Sequence, residues 1–233
     1  MIDPGPNDAG DLAQIRAAVR ALCADFPGEY WRRLDRERAY PEDFVTALTK
    51  AGFLAALIPE QYGGSGLTMT AAAAIMEEIQ ACGCNGAACH AQMYTMGTLL
   101  RHGSTEQKKR YLPAIARGEL RLQAFGVTEP TSGTDTLSLR TTARREGNDH
   151  YIINGQKIWT SRAEHSDLML LLARTTPRDQ VKKRTEGLSV FLVDMRDAKG
   201  LSIQPIRTMM NHFASPTHSA AIRMRSVFMP ERM

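Results

Sequence analysis

The chain has 233 residues, of which 43% are hydrophobic and 23% are charged, and its formal net charge is +4. This composition is typical of a globular protein, and the absence of a basic stripe with interleaved aromatic residues argues against nucleic-acid binding. The longest strongly apolar run, Leu168 to Ala173, is too short to span a bilayer. The first twenty residues contain acids and no apolar core. We therefore expect neither a secretory signal nor a transit peptide. The protein is expected to be cytoplasmic.

Four cysteines, Cys23, Cys82, Cys84 and Cys89, raise the question of a metal site. The spacing of the last three is not that of a zinc knuckle, and no second Cys/His pair follows at zinc-finger distance. We therefore expect reduced thiols packed among helices, and no metal.

The densest basic cluster is Lys182-Lys183-Arg184, with Arg178 shortly before it. It lies between two strand-like segments, DLMLLLART and LSVFLVDM. Two interpretations stay open, a solvated hairpin tip and a docking patch for a phosphorylated ligand.

From Asp11 to Gly118 the apolar residues recur with the period of a helix. Asp11 is predicted to cap the first helix, and Ser104 with Gln107 forms a capping box before the last one, which Gly118 ends. The glycine-rich stretch IPEQYGGSGLT has no strand before it, so it is neither a P-loop nor a Rossmann fingerprint. The five predicted helices cover LAQIRAAVRALCADF, PEDFVTALTKAG, TMTAAAAIMEEIQAC, AACHAQMYTMGTLLRHG and EQKKRYLPAIARG.

From about Leu120 the period becomes that of strands, with turn signals at Gly147-Asn148-Asp149 and, for a type I′ hairpin, at Asn154-Gly155. Six strands without intervening helices predict an antiparallel sheet closed or sandwiched on itself. The predicted fold class is therefore α+β, an all-α helical domain at 1–119 followed by an antiparallel β-barrel domain at 120–233. The six strands cover LQAFGVT, LRTTARRE, HYIINGQKIWT, DLMLLLART, LSVFLVDM and HSAAIRMRSVFM.

The segment AFGVTEPTSGTD, residues 124–135, concentrates short donors at the end of a predicted strand. Thr128, Ser132 and Thr134 offer hydroxyls, and small residues allow close approach of a flat ligand. Trp159 ends another predicted strand, so an indole wall beside these donors suits a planar heterocycle. The alternative is a polar turn and a core tryptophan.

At this point the sequence resembles the acyl-CoA dehydrogenase family of flavoproteins. GVTEPTSGTDTLS fits the family's first signature, and three further landmarks follow the family order: IPEQYGGSGLT, GSTEQKKRYLPAIARGE and YIINGQKIWTSRAEHSDLMLLLART. The resemblance covers nearly the whole chain, and four landmarks in register make it specific.

The resemblance implies a non-covalent FAD that oxidises an acyl-CoA thioester to its trans-2-enoyl product, as in fatty-acid β-oxidation. It implies backbone contacts from Phe125 and Val127 and a hydroxyl from Thr128 near the flavin. Glu129 and Asp135 are expected to be structural. The complete set of implied cofactor-binding residues is Phe125, Val127, Thr128, Gly133, Thr134, Trp159 and Ser161.

Substrate contacts are also implied. Thr134 is a candidate for the bound thioester, and Cys89, Met93 and Met96 are candidates for the wall of the acyl pocket. The alternative is that these methionines are ordinary core residues.

In the family, a C-terminal four-helix bundle follows the β-domain and supplies the glutamate base and most of the subunit interface. No residue up to Met233, the last one of this sequence, matches that base. The resemblance therefore implies that the family glutamate lies beyond Met233, that this chain contains no catalytic residue and that the chain alone has no dehydrogenase activity.

The resemblance also implies partners. They are acyl-CoA as substrate and an electron-transferring flavoprotein or a similar protein as electron acceptor. The family is homo-oligomeric, but its usual interface is expected to be missing here, because the bundle that forms it is not among these residues.

Two other functions stay open. The chain could be a non-catalytic interaction module that needs a partner carrying the bundle. It could also be a related flavin oxidase or monooxygenase, because the same scaffold serves those reactions in the family.

Overall fold

The protein is described by a computed structural model at residues 8–147, 150–206 and 219–229. These residues form two compact units, one ending at Leu120 and the other beginning at Arg121. Within these ranges no helix is both long and apolar enough to cross a membrane.

Two sequence predictions fall outside the described ranges. The turn predicted at 147–149 lies partly outside them, since Asn148 and Asp149 are not described. Met233, which is the predicted end of the β-domain and the residue beyond which the family glutamate is expected, also lies outside them. Both therefore stay predictions.

The first unit is helical, as predicted. One helix was not predicted: α2 is strongly charged, but it buries Leu34 and packs Tyr30 and Trp31 against the core. The capping role of Asp11 was wrong, because α1 begins three residues earlier and Asp11 lies inside it. The helices are α1 (Asp8–Ala24), α2 (Gly28–Glu37), α3 (Glu42–Lys50), α4 (Met69–Ala81), α5 (Ala87–His102) and α6 (Thr105–Ala116).

Both predicted end signals of the last helix are confirmed. The Ser104 hydroxyl accepts from the Gln107 amide at 3.1 Å, and the Gln107 side chain accepts from the Ser104 amide at 3.0 Å. Gly118 has φ 74° and donates its N–H to the Ile115 carbonyl, which closes the C-terminus of α6.

The second unit contains the six predicted strands and a further one, β6. The type I′ hairpin at Asn154-Gly155 was wrong, because both residues lie within β3 at a register shift. A Cβ at Gly155 would lie 2.4 Å from Thr141 Oγ1, so the glycine serves close packing rather than a turn. The strands are β1 (Leu122–Gly126), β2 (Thr142–Glu146), β3 (His150–Ser161), β4 (Leu168–Arg174), β5 (Leu188–Asp194), β6 (Leu201–Ile206) and β7 (Ser219–Met229).

The sheet is mixed, so the prediction of a purely antiparallel sheet was wrong. The strand order is β1-β4-β2-β3-β7-β6, with β5 on the other edge of β4. Most pairs are antiparallel, but β4 runs parallel to β1 and, at one position, to β2. Hydrogen bonds between Arg121 and Asp167 fix the point where the parallel pairing of β1 with β4 begins. The Asp167 carboxylate accepts from the Arg121 amide at 2.7 Å. The Asp167 and Leu168 amides both donate to the Arg121 carbonyl at 3.0 Å.

The tight turn after Ile58 gives a stability prediction. A Cβ on Gly64 would lie 2.1 Å from the Ile58 carbonyl oxygen, whereas a Cβ on Gly97 would meet no atom within 4 Å. We expect Gly64→Ala to lower the free energy of unfolding by about 1–3 kcal/mol or more through this clash. Gly97→Ala in α5 should be neutral or stabilising by up to about 1 kcal/mol. Denaturant unfolding followed by far-UV circular dichroism measures both, and equal stability of the two variants would contradict the described turn.

Candidate functional site

The segment after β1 folds back on itself as a short closed turn. Glu129 and Ser132 exchange backbone hydrogen bonds of 2.9 and 3.1 Å. The Ser132 hydroxyl then donates to the Asp135 carbonyl at 2.6 Å. Gly133 and Thr134, which lie between Ser132 and Asp135, are exposed.

A buried ion pair lies beneath this turn. The Lys157 ammonium donates to a Glu129 carboxylate oxygen at 2.9 Å and to the Val127 carbonyl at 3.0 Å. The Lys157 side chain is 0% exposed and that of Glu129 is 3% exposed. The Glu129 carboxylate also accepts from the backbone amides of Arg140 at 2.6 Å and Thr141 at 2.9 Å. Three donors therefore hold this carboxylate, and it links β1, β3 and the approach to β2.

These contacts determine the protonation of the pair. Burial by itself would raise the pKa of the Glu129 carboxyl, but the hydrogen bonds from Thr141, Arg140 and Lys157 lower it below its usual value. Burial lowers the pKa of the Lys157 ammonium, and Glu129 offsets part of that effect. Glu129 is thus held as a carboxylate that has the structural role predicted for it.

Trp159 lies at an irregular point of β3. The pairing of β3 with β7 shifts register between Lys157 and Thr160, and Trp159 between them has φ 61°, a left-handed conformation uncommon for a bulky residue. The residue is 53% exposed, so it is not a core tryptophan. The preceding Ile158 amide donates to the Thr128 carbonyl at 2.9 Å. The hydroxyl-rich corner and the tryptophan segment are therefore direct neighbours.

Of the remaining corner residues, Gly133 borders open space and Asp135 is hydrogen-bonded. A Cβ on Gly133 would meet no atom within 4 Å, so this glycine is not required by contacts within the chain. Asp135 accepts from the Ser138 hydroxyl and from Arg184 at 3.0 Å, and the Ser138 hydrogen bond is the main cause of its lowered pKa. Arg184 belongs to the exposed β4–β5 connection, which agrees with the hairpin-tip interpretation of the basic cluster.

The acyl-pocket candidates lie in the helical unit, on α5. Cys89, Met93 and Met96 are all buried, and the Cys89 sulfur lies 4.0 Å from that of Met93. Burial raises the pKa of the Cys89 thiol to about 12, so this sulfur packs as a neutral group. All four cysteines are free. The role of these side chains in an acyl pocket stays a prediction.

Sequence reasoning missed Lys157. It lies within one of the family landmarks but was given no role, because its neighbours Gln156 and Ile158 are one polar and one apolar residue and do not mark it as buried. Its partner could not be read from the sequence, because 28 positions separate Lys157 from Glu129.

The ion pair predicts a pH dependence of stability. Because the pKa of Glu129 is lowered in the folded state, its stabilisation is complete above the unfolded value of about 4.3 and is lost as the pH falls through the folded value. Glu129→Gln should cost about 3–5 kcal/mol at neutral pH, since it leaves Lys157 without its charge partner. The difference from the parent chain should shrink in acid. Urea unfolding at several pH values tests this, with the exposed Glu146→Gln as control; a pH-independent difference would contradict it.

Comparison of the chain with known proteins identifies its family. Residues 10–119 match the family model described as acyl-CoA dehydrogenase, N-terminal domain, and residues 124–223 match the one described as acyl-CoA dehydrogenase, middle domain. The probable acyl-CoA dehydrogenase FadE25 of Mycobacterium tuberculosis strain H37Rv is 33% identical over 206 residues, 88% of this chain and 51% of the relative.

Two further comparisons agree. The 3-(aryl)acrylate reductase of Clostridium sporogenes is 35% identical over 205 residues, 85% of this chain and 52% of the relative. The structure of glutaryl-coenzyme A dehydrogenase with glutaryl-CoA has a TM-score of 0.84 at 26% identity and covers 99% of this chain and 57% of that one. The chain spans about half the length of the curated relatives it matches. With two domain models, relatives and fold in agreement, the chain belongs to the acyl-CoA dehydrogenase family.

Proposed function

We propose that this chain forms the flavin-binding part of an FAD-dependent acyl-CoA dehydrogenase, which converts an acyl-CoA thioester to its trans-2-enoyl product. The observation that supports this best is the exposed Trp159 at a left-handed bulge, joined to the hydroxyl-rich corner through the bond between Ile158 and Thr128. Residues held in a strained backbone conformation cluster at active sites and ligand-binding sites.

The corner residues fit an FAD. The Thr128 hydroxyl is a donor for the flavin edge, while Gly133 leaves room that a side chain would fill. The Val127 carbonyl already accepts from Lys157, so its contribution would come from its amide. When bound, FAD supplies a hydride acceptor whose developing negative charge is stabilised by preorganised donors. The residues that would hold it are Phe125, Val127, Thr128, Gly133, Thr134, Trp159 and Ser161.

A general base for the α-proton is not provided by Glu129. Its carboxylate already accepts hydrogen bonds from Lys157 and two amides, and its lowered pKa makes it a weak base. We propose that the base comes from outside these 233 residues, beyond Met233 as the family resemblance implies, and that the chain alone does not turn over acyl-CoA. Loss of a general base typically reduces the rate by about 10²–10⁴.

The partners follow from the same proposal. The substrate would be an acyl-CoA, with Thr134 near the thioester, and Cys89, Met93 and Met96 would line the acyl pocket. The electron acceptor would be an electron-transferring flavoprotein or a similar protein, and the location would be cytoplasmic.

A second candidate is the reverse reaction, reduction of a carbon–carbon double bond next to the acyl group. It is favoured by the 35% identity to a 3-(aryl)acrylate reductase. Both reactions need the same flavin cradle, and they differ in the direction of hydride transfer. Anaerobic titration of the complete flavoprotein separates them. An acyl-CoA that bleaches the oxidised flavin favours dehydrogenation, whereas an enoyl-CoA that restores the oxidised absorption bands of the pre-reduced flavin favours reduction.

Flavin uptake is the direct test. We expect the purified chain to take up FAD, with a shift of the flavin absorption bands and quenching of flavin fluorescence by the Trp159 indole. Trp159→Ala should abolish most of the quenching. A parent chain that stays colourless after addition of FAD would contradict the proposal.

Gly133 gives a sharper prediction. Since a Cβ there meets no atom of the chain, Gly133→Ala should leave the free energy of unfolding unchanged. It should raise the dissociation constant of FAD or of the acyl-CoA by about three- to tenfold, or about 0.7–1.4 kcal/mol, because the methyl group fills ligand space. Gly97→Ala is the matched control and should change the dissociation constant of neither ligand. Unchanged binding of both ligands by Gly133→Ala would remove this residue from the site.

A further inference from the structure

We propose that Lys157 is a positioning residue of the flavin site, which fixes the corner at 127–134 against the indole of Trp159. This inference rests on the proposed function, but its structural core concerns only residues of this chain. Lys157 lies two positions before Trp159 on β3, and its ammonium contacts the segment that follows β1. One side chain therefore connects the two halves of the site.

The path of the Lys157 side chain is built into the sheet. At the end of β1, a Cβ on Gly126 would lie 3.3 Å from Lys157 Cγ. A larger residue at 126 would push against the lysine stem, so the glycine leaves the passage through which the ammonium reaches Val127 and Glu129. The whole side chain is 0% exposed, which shows that the connection runs through the interior.

Burial makes this connection rigid. A surface lysine exchanges its partners with water, but the Lys157 ammonium would lose both the Glu129 carboxylate and the Val127 carbonyl if it moved. Glu129 in turn is fixed by the amides of Arg140 and Thr141. The lysine thus transmits the position of β3 to the corner.

The bulge depends on the same fixed points. Trp159 has a left-handed backbone that must be maintained by its surroundings. Lys157 and Thr160, the buried residues on either side of the bulge, anchor it, and the Ile158 amide bonds to Thr128 between them. Release of Lys157 would free one side of the bulge, and the indole would lose its fixed place beside the hydroxyls.

The first test needs no ligand. The chain has two tryptophans, so incorporation of 5-fluorotryptophan gives two ¹⁹F NMR resonances, assigned with Trp159→Phe. We expect Lys157→Met to shift or split the Trp159 resonance and to leave that of Trp31, in the helical unit, unchanged. Val193→Ala, which creates a cavity in the core of the second unit, is the matched destabilising control. It should leave both resonances in place.

The second test is FAD binding by the same proteins. We expect Lys157→Met to raise the dissociation constant by about tenfold or more, because small displacements of positioned groups are costly, while Val193→Ala binds like the parent. If the parent chain binds no FAD, the proposed function fails, and the ¹⁹F spectra still decide the positioning role.

Glu129→Gln keeps the proposal testable if Lys157→Met does not fold, and it should shift the same Trp159 resonance. An unmoved Trp159 resonance in the folded variants would overturn the inference. An equal shift in Val193→Ala would also overturn it, because the effect would then be general loosening of the sheet.

Discussion

The candidate site depends on one buried ion pair. Water is excluded from both charges, so Lys157 and Glu129 must satisfy each other and the nearby backbone groups. They do so with bonds of 2.9 and 3.0 Å from the lysine and with two amides on the carboxylate. This requirement fixes the segment after β1, the approach to β2 and strand β3 relative to one another. The exposed corner is held in place by the same contacts.

Strand β3 carries a buried charged residue and an exposed aromatic residue two positions apart. Lys157 is a charge in the interior, and Trp159 is a large aromatic side chain that stays half exposed. Each is unfavourable alone, since charges prefer water and indoles prefer the core. Together, with Lys157 beside the bulge and Trp159 within it, they fit the proposed ligand site, in which the buried charge would provide rigidity and the exposed ring a binding surface.

Family membership and local geometry answer different questions. The matches at residues 10–119 and 124–223 identify the family. The geometry adds that Glu129 is occupied as a structural carboxylate and that Gly133 faces open space. Local geometry thus gives the state of one carboxylate, which family membership alone does not give.

The sequence by itself determined the helices of the first unit other than α2, six of the seven described strands and the capping box at Ser104, because these follow from short-range periodicity and local hydrogen bonds. It also predicted the corner and the tryptophan as one site, and the structure shows the two segments as neighbours. Tertiary structure alone decided the parallel pairing of β1 with β4, the use of Gly155 as a packing residue and the partner of Lys157. These features depend on contacts between residues far apart in the chain. Such contacts are chosen by burial and by satisfaction of polar groups in the folded interior, which no local pattern records.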